Sequence, residues 1–217
     1  MKKLAGILAL AGVTMLSSSL VNAQSNFTGF YGQAGIGYES TSISFTGGSV
    51  QGFPYSVSSN NSNSFAGTVG IGAYLPVTSN FLLGIGAEYS PIPSSNTNFT
   101  LSVPGTTTPS IPGTWKKKDS YNFFVSPAIA IDKDKLAYAK VGYTGANIET
   151  TIFGSSDTTS YKGYSLGLGY KQILQGGLYG FGEVNYAAYS SKSDGDGFSG
   201  TNKPTATNLM VGIGYKF

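Results

Sequence analysis

Along almost the whole chain the side chains change character at each step, apolar then small or polar, in eight runs separated by turn residues. A period of two assigns each set to one face of a strand, whereas a helix needs apolar positions three and four apart. In 27–45, Phe30, Ala34, Ile36 and Tyr38 share one face, opposite Tyr31, Gln33, Gly35, Gly37 and Glu39. Residues 64–75 present Phe65, Val69, Ile71, Ala73 and Leu75, and the next run presents Phe81, Leu83, Ile85, Ala87 and Tyr89. Tyr121, Phe123, Val125, Ile129 and Ile131 form the fourth apolar face. Ala137, Ala139, Val141 and Tyr143 form the fifth; Tyr164, Leu166, Leu168 and Tyr170 the sixth. Runs 178–189 and 205–217 complete the set. The chain reads as all-β. Pro127 removes a ladder donor from the fourth run, which predicts a bulge or local irregularity.

The connections alternate in length. Those at 76–79, 132–135 and 172–177 are tight, while those near 46–62, 91–118, 145–160 and 188–204 are long and polar. Short turns at one end and long loops at the other belong to an up-and-down barrel in an outer membrane. A soluble sandwich has no reason for that asymmetry. Aromatic residues also sit near the ends of the apolar faces, as in Phe30 and Tyr38, Phe81 and Tyr89, Tyr164 and Tyr170. About eight residues at ~3.3 Å each, tilted by about 40°, cover roughly 20 Å of membrane normal, close to the ~25 Å apolar band. Rings at both ends then lie at the interfaces, where an apolar body with a polar tip is favoured.

The opposite face is mostly Gly, Ser, Thr and Asn with single charges, and reads as a narrow lumen. The expected outward set includes Ala34, Ile36, Val69, Ile85, Val141, Leu166 and Val211. Repeats such as Gly35-Ile36-Gly37 and Gly84-Ile85-Gly86 lack the third glycine and the helix of a dinucleotide site. They leave lumen space for Tyr31, Tyr74, Phe124, Tyr138, Tyr179 and Phe181.

Composition narrows the chemistry. Charged residues make up 11% of the chain, all 13 basic ones are Lys, and there is no Arg, His or Cys. A zinc site, a thiol nucleophile and a Ser-His-Asp triad are therefore excluded as usually built, together with disulfides. A formal charge of +3 is too small to argue for nucleic acid. No enzymatic activity, cofactor or metal is expected. Asp194-Gly195-Asp196-Gly197 falls short of the ligand spacing of a calcium loop and is expected to be a flexible turn.

Residues 1–23 read as a secretory signal: Lys2 and Lys3, an apolar run over 4–16, then Val21-Asn22-Ala23 for cleavage before Gln24. The apolar run is well short of the ~20 residues that cross a bilayer. Residues 24–217 are expected to form one outer-membrane barrel domain.

The chain ends Gly214-Tyr215-Lys216-Phe217, with Ile213, Val211 and Leu209 at alternate positions. This ending, the signal and the loop layout resemble the eight-stranded outer-membrane β-barrel family of the OmpA-domain, OmpX and opacity-protein type. The resemblance implies an eight-stranded antiparallel up-and-down transmembrane barrel, located in the cell outer membrane and expected to be monomeric. It implies that Tyr215 and Phe217 carry the signal read by the barrel assembly machinery. Members differ mainly in their loops, so function is less defined. The first expectation is a structural scaffold whose four external loops contact lipopolysaccharide or a host or phage ligand. The alternative is a small nonspecific porin-like channel. Barrel enzymes that modify lipids use a His, which this chain lacks.

The charged candidates fall into two groups. Glu88, Lys140, Lys171 and Glu183 share the inward face of the periplasmic half, with Glu39 higher on the first strand. They suit either an ion-pair plug or a polar conduction path. An eight-stranded interior is only wide enough for its own side chains, which favours the plug. Lys140 is expected to pair with Glu88 or Glu183. Lys116, Lys117 and Lys118 close the second long loop and read as a solvated run or a contact to lipopolysaccharide phosphates.

Overall fold

The computed structural model describes residues 25–46, 48–50, 53–103, 110–193 and 200–217. Residues 1–23, expected to be a secretory signal, and Asp194-Gly195-Asp196-Gly197 lie outside these residues. In chain order the strands are β1 (Gly29–Thr46), β2 (Gly48–Val50), β3 (Phe53–Ser59), β4 (Ser62–Pro76), β5 (Phe81–Ser90) and β6 (Thr97–Ser102). They continue with β7 (Ile111–Asp132), β8 (Lys135–Ile152), β9 (Ser155–Gln175), β10 (Leu178–Tyr189), β11 (Lys192–Ser193) and β12 (Thr201–Lys216). Strands β1, β4, β5, β7, β8, β9, β10 and β12 pair antiparallel in that order, and β12 returns to β1, for example through Gly35 opposite Gly212. The ring of eight strands is closed.

Register decides which face meets lipid. Ala34, Ile36, Val69, Ile85, Val141, Leu166 and Val211 are all exposed on the outer wall. Tyr38, Phe65, Tyr89, Phe123, Tyr143, Tyr164 and Tyr186 mark the upper edge of the apolar band; Phe30, Leu75, Ile131, Leu174 and Tyr215 mark the lower edge. Inside, Tyr31, Tyr74, Phe124, Tyr138, Tyr179 and Phe181 are buried. Inward glycines make room for them. A methyl group at Gly84 would come within 2.6 Å of the Tyr74 ring.

Stretches expected as long loops are partly strand. Stretch 145–160 is strand rather than long loop: β8 and β9 meet in a turn whose central residues, Phe153 and Gly154, have φ of 52° and 79°. Positive φ at both central residues suits a two-residue hairpin, and Phe at the first of them carries none of the usual Asn or Gly signal. Much of 91–118 is likewise strand, in β6 and the start of β7. At Pro127 the β7–β8 ladder is interrupted between Val125 and Ala128, yet the register is unchanged; the Ser126 hydroxyl donates to the Ala139 carbonyl at 2.8 Å. The register shifts instead near Asp119, whose φ is 51°, and near Ile131.

The strands thus continue above the apolar band. A second apolar cluster of Phe99, Trp115, Ala146, Ile148, Tyr161, Tyr189 and Ala206 fills this outer extension. The lower cluster, Phe27 through Phe181, fills the opposite end.

Candidate functional site

The lumen is built in layers from alternate residues of the ring strands. At its lower end Phe27 is buried against Tyr179, with ring centroids 5.8 Å apart. The chain reaches this position because Asn26 crosses to the β7–β8 turn: its backbone NH donates to the Lys133 carbonyl at 3.0 Å, and its side chain donates to Asp134 at 2.7 Å. The N-terminal segment therefore covers the mouth from β1 to the far wall. Asn26 precedes the alternating run at 27–45, and nothing in the sequence marks it or Phe27 as a cap.

Above Phe27 lies Lys171, fully buried, its Nζ 3.7 Å from the centre of the Tyr31 ring. The rings of Tyr179, Tyr74 and Tyr138 stand at 5.0, 5.2 and 5.2 Å. Among the described residues no carboxylate comes within ion-pair distance of it. The sequence reading placed Lys171 with the ion-pair candidates; the structure gives it a box of aromatic faces, whose quadrupoles attract a desolvated cation. Spacing along a strand cannot show that four rings converge from other strands.

The next layer joins β5, β8 and β10. Lys140 Nζ lies 2.8 and 3.0 Å from the two Glu88 oxygens and 2.9 Å from Glu183 Oε1. Glu183 also accepts from Tyr138 OH at 2.7 Å and from Asn185 at 2.9 Å. Asn122 donates to Glu88 at 3.4 Å and accepts from Ser165 at 2.7 Å. Two carboxylates share one ammonium, and the Tyr138, Asn185 and Asn122 donors take up their remaining acceptor sites. A buried ion set needs this completeness of partners to offset its desolvation. A polar cavity of about 60 Å³, sized for a few waters, lies above it.

Glu39 closes that cavity from the top, but through an unexpected partner. Lys117 reaches it across the lumen at 2.6 Å, with both side chains buried, and Thr41 donates to the same carboxylate at 3.2 Å. Lys117 is therefore not an exposed lysine of an outer loop. It lies in β7, where alternation turns it inward and its neighbours outward. Lys116 and Lys118 flank Glu149 of β8 on the outer wall, at 2.7 and 2.6 Å.

These layers sit in a barrel whose sequence matches the outer membrane protein beta-barrel domain over residues 8–217. The chain belongs to that family. Its fold is shared with the outer membrane protein OprG from Pseudomonas aeruginosa, at 13% identity and a TM-score of 0.55, covering 90% of this chain and 99% of that one. It is also shared with Neisserial surface protein A, at 11% identity and a TM-score of 0.51, covering 88% and 98%. Ail, the attachment invasion locus protein of Yersinia pestis, aligns at 16% identity with a TM-score of 0.47, over 88% and 99%. No curated protein sequence matches this one.

Two further groups of residues lie on the outer surface. Tyr215 and Phe217 both face outward at the lower rim, their rings 5.4 Å apart, and the Phe217 NH donates to the Phe30 carbonyl at 2.9 Å. On the outer wall, Lys116 and Lys118 together hold the Glu149 carboxyl well below the usual range, at about 2. Glu149 lies past Tyr143, beyond the apolar band, so lipid headgroups or solvent surround this trio.

Proposed function

We propose that this protein is a closed outer-membrane barrel that acts as a scaffold, with its recognition surface on the strand extensions and loops above the membrane. One observation carries the reading: the lumen is crossed by the Glu88–Lys140–Glu183 bridge, above an aromatic layer and Phe27. An ion would have to break buried charge-assisted hydrogen bonds and then displace packed rings. Positions outside the bilayer are where a rigid barrel commonly carries recognition. The same reading has residues 1–23 direct export, the terminal Tyr215 and Phe217 engage the assembly machinery, and the barrel work as a monomer without catalysis. In the same reading Lys116 and Lys118 contact lipopolysaccharide phosphates; what supports it is that two lysines share a single carboxylate and so keep a net positive charge. A host or phage ligand would meet the outer extension.

Conductance tests this directly. Purified chain refolded into planar bilayers is expected to insert without steady current. Steady ion-selective current in most insertions, altered when Lys140 or Glu88 is neutralised, would make it a small porin instead.

A further inference from the structure

The outer extension contains a second cavity, separate from the ion-pair layers. It has a volume of about 430 Å³ and opens above the membrane band. Its walls come from β1, β3, β6, β7, β8, β9 and β12, through side chains including Ile43, Val57, Phe99, Trp115, Ile148 and Tyr161. Phe99, Trp115, Ile148 and Tyr161 belong to the upper apolar cluster, so packing holds them in place. The Trp115 indole NH donates to Ser59 Oγ at 3.0 Å, which fixes the ring in the wall.

The wall chemistry is asymmetric. Asp157 and Thr159 of β9 lie on one wall beside their ladder partners Thr150 and Ile148 of β8, and Ser155 and Asn202 add further polar groups to the lining. Asp157 is exposed, and among the described residues no lysine pairs with it. Small-molecule sites are concave, mostly apolar, roughly 300–1,000 Å³ in volume, and carry a few polar groups that orient the ligand. This cavity meets each criterion.

We infer that the vestibule binds a small apolar molecule of up to three rings, neutral or bearing an amine, with its body against Trp115, Phe99 and Ile148 and any cationic end toward Asp157. An anionic analogue should be disfavoured, because the single carboxylate at the wall would repel it. The inference does not depend on whether the barrel conducts.

The chain has one tryptophan, and it lies in this wall, so intrinsic fluorescence reports on the site. Full-length mature chain in lipid nanodiscs would be titrated with the neutral dye N-phenyl-1-naphthylamine and with the anionic 8-anilinonaphthalene-1-sulfonate. The neutral dye is expected to quench Trp115 saturably, and the anionic dye to bind at least tenfold more weakly. Thr159→Phe, which fills the cavity with an apolar ring, should weaken the neutral dye about tenfold while the Trp115 spectrum still shows a folded wall. Ile43→Asn should do the same by making the wall polar. Asp157→Asn should narrow the gap between the two dyes. A signal linear in dye, as for partition into lipid, would overturn the inference, and so would saturable binding unchanged in both Thr159→Phe and Ile43→Asn. Equal affinity for the two dyes in the parent chain would overturn the role given to Asp157.

Discussion

Lys117 and Glu39 form a buried ion pair at 2.6 Å across the lumen, between strands that are not neighbours in the ring. Cutting this link strands a carboxylate. Lys117→Met is expected to destabilise the barrel by about 3–5 kcal/mol, the usual cost of breaking one side of a buried pair. Lys116→Met, on the outer wall, should cost no more than about 1 kcal/mol. Adding Glu39→Gln to Lys117→Met should recover much of the loss. Urea unfolding in lipid vesicles checks all three, and equal midpoints for Lys116→Met and Lys117→Met would contradict the geometry.

The Lys140 bridge predicts a different pattern from the Lys171 box. Lys140→Met leaves Glu88 and Glu183 facing each other without their shared cation, and is expected to cost about 3–5 kcal/mol. Lys171→Met keeps an unbranched stem among the rings and loses a cation–π attraction of about 2 kcal/mol or more, while also shedding the desolvation of an ammonium without a carboxylate partner. Its net cost is expected to stay below that of Lys140→Met. Heat-modifiability on gels would rank the two variants. A larger loss for Lys171→Met would show that the box depends on charge rather than packing.

Glu149 gives the acid dependence. Its folded value of about 2 lies below the ordinary value of 4.5, because Lys116 and Lys118 hydrogen-bond the ionised form. The stabilisation is therefore present above about 4.5 and is lost as pH falls toward about 2. Over that window the parent should lose more stability than Glu149→Gln, and above it the difference should be constant. Parallel midpoints from pH 6 to pH 2, by urea unfolding, would mean that the trio does not form in solution.

Gly84 tests lumen packing. A side chain there meets Tyr74, whose hydroxyl is already bound to Ser126 at 3.1 Å. Gly84→Val should cost about 1–3 kcal/mol through overpacking, and Tyr74→Leu in the same chain should relieve part of it. Measured by refolding yield and unfolding midpoint, additive losses in the double variant would place the strain elsewhere.

Much of this barrel was legible in the sequence because a strand's period of two is a local property. Once one face is apolar and ends in aromatic residues, the outward positions of Ile36, Ile85 and Val211 follow from covalent alternation and the solubility of each face in lipid. The same alternation puts Glu88, Lys140, Lys171 and Glu183 in the lumen. Partners within the lumen are not local. Whether a buried cation meets a carboxylate or a ring depends on the stagger of strands far apart in the chain, so Lys140 found two glutamates and Lys171 found four tyrosines. Lys117 shows the limit most clearly. Three consecutive lysines read as one exposed charge run, because composition marked the region as loop; ladder pairing extended β7 through it, and strand geometry then sent the middle lysine inward to Glu39. The hairpin at Phe153 and the capping Phe27 escaped for the same reason: each is held by the pairing or the closed end of the finished barrel, which only the tertiary structure supplies.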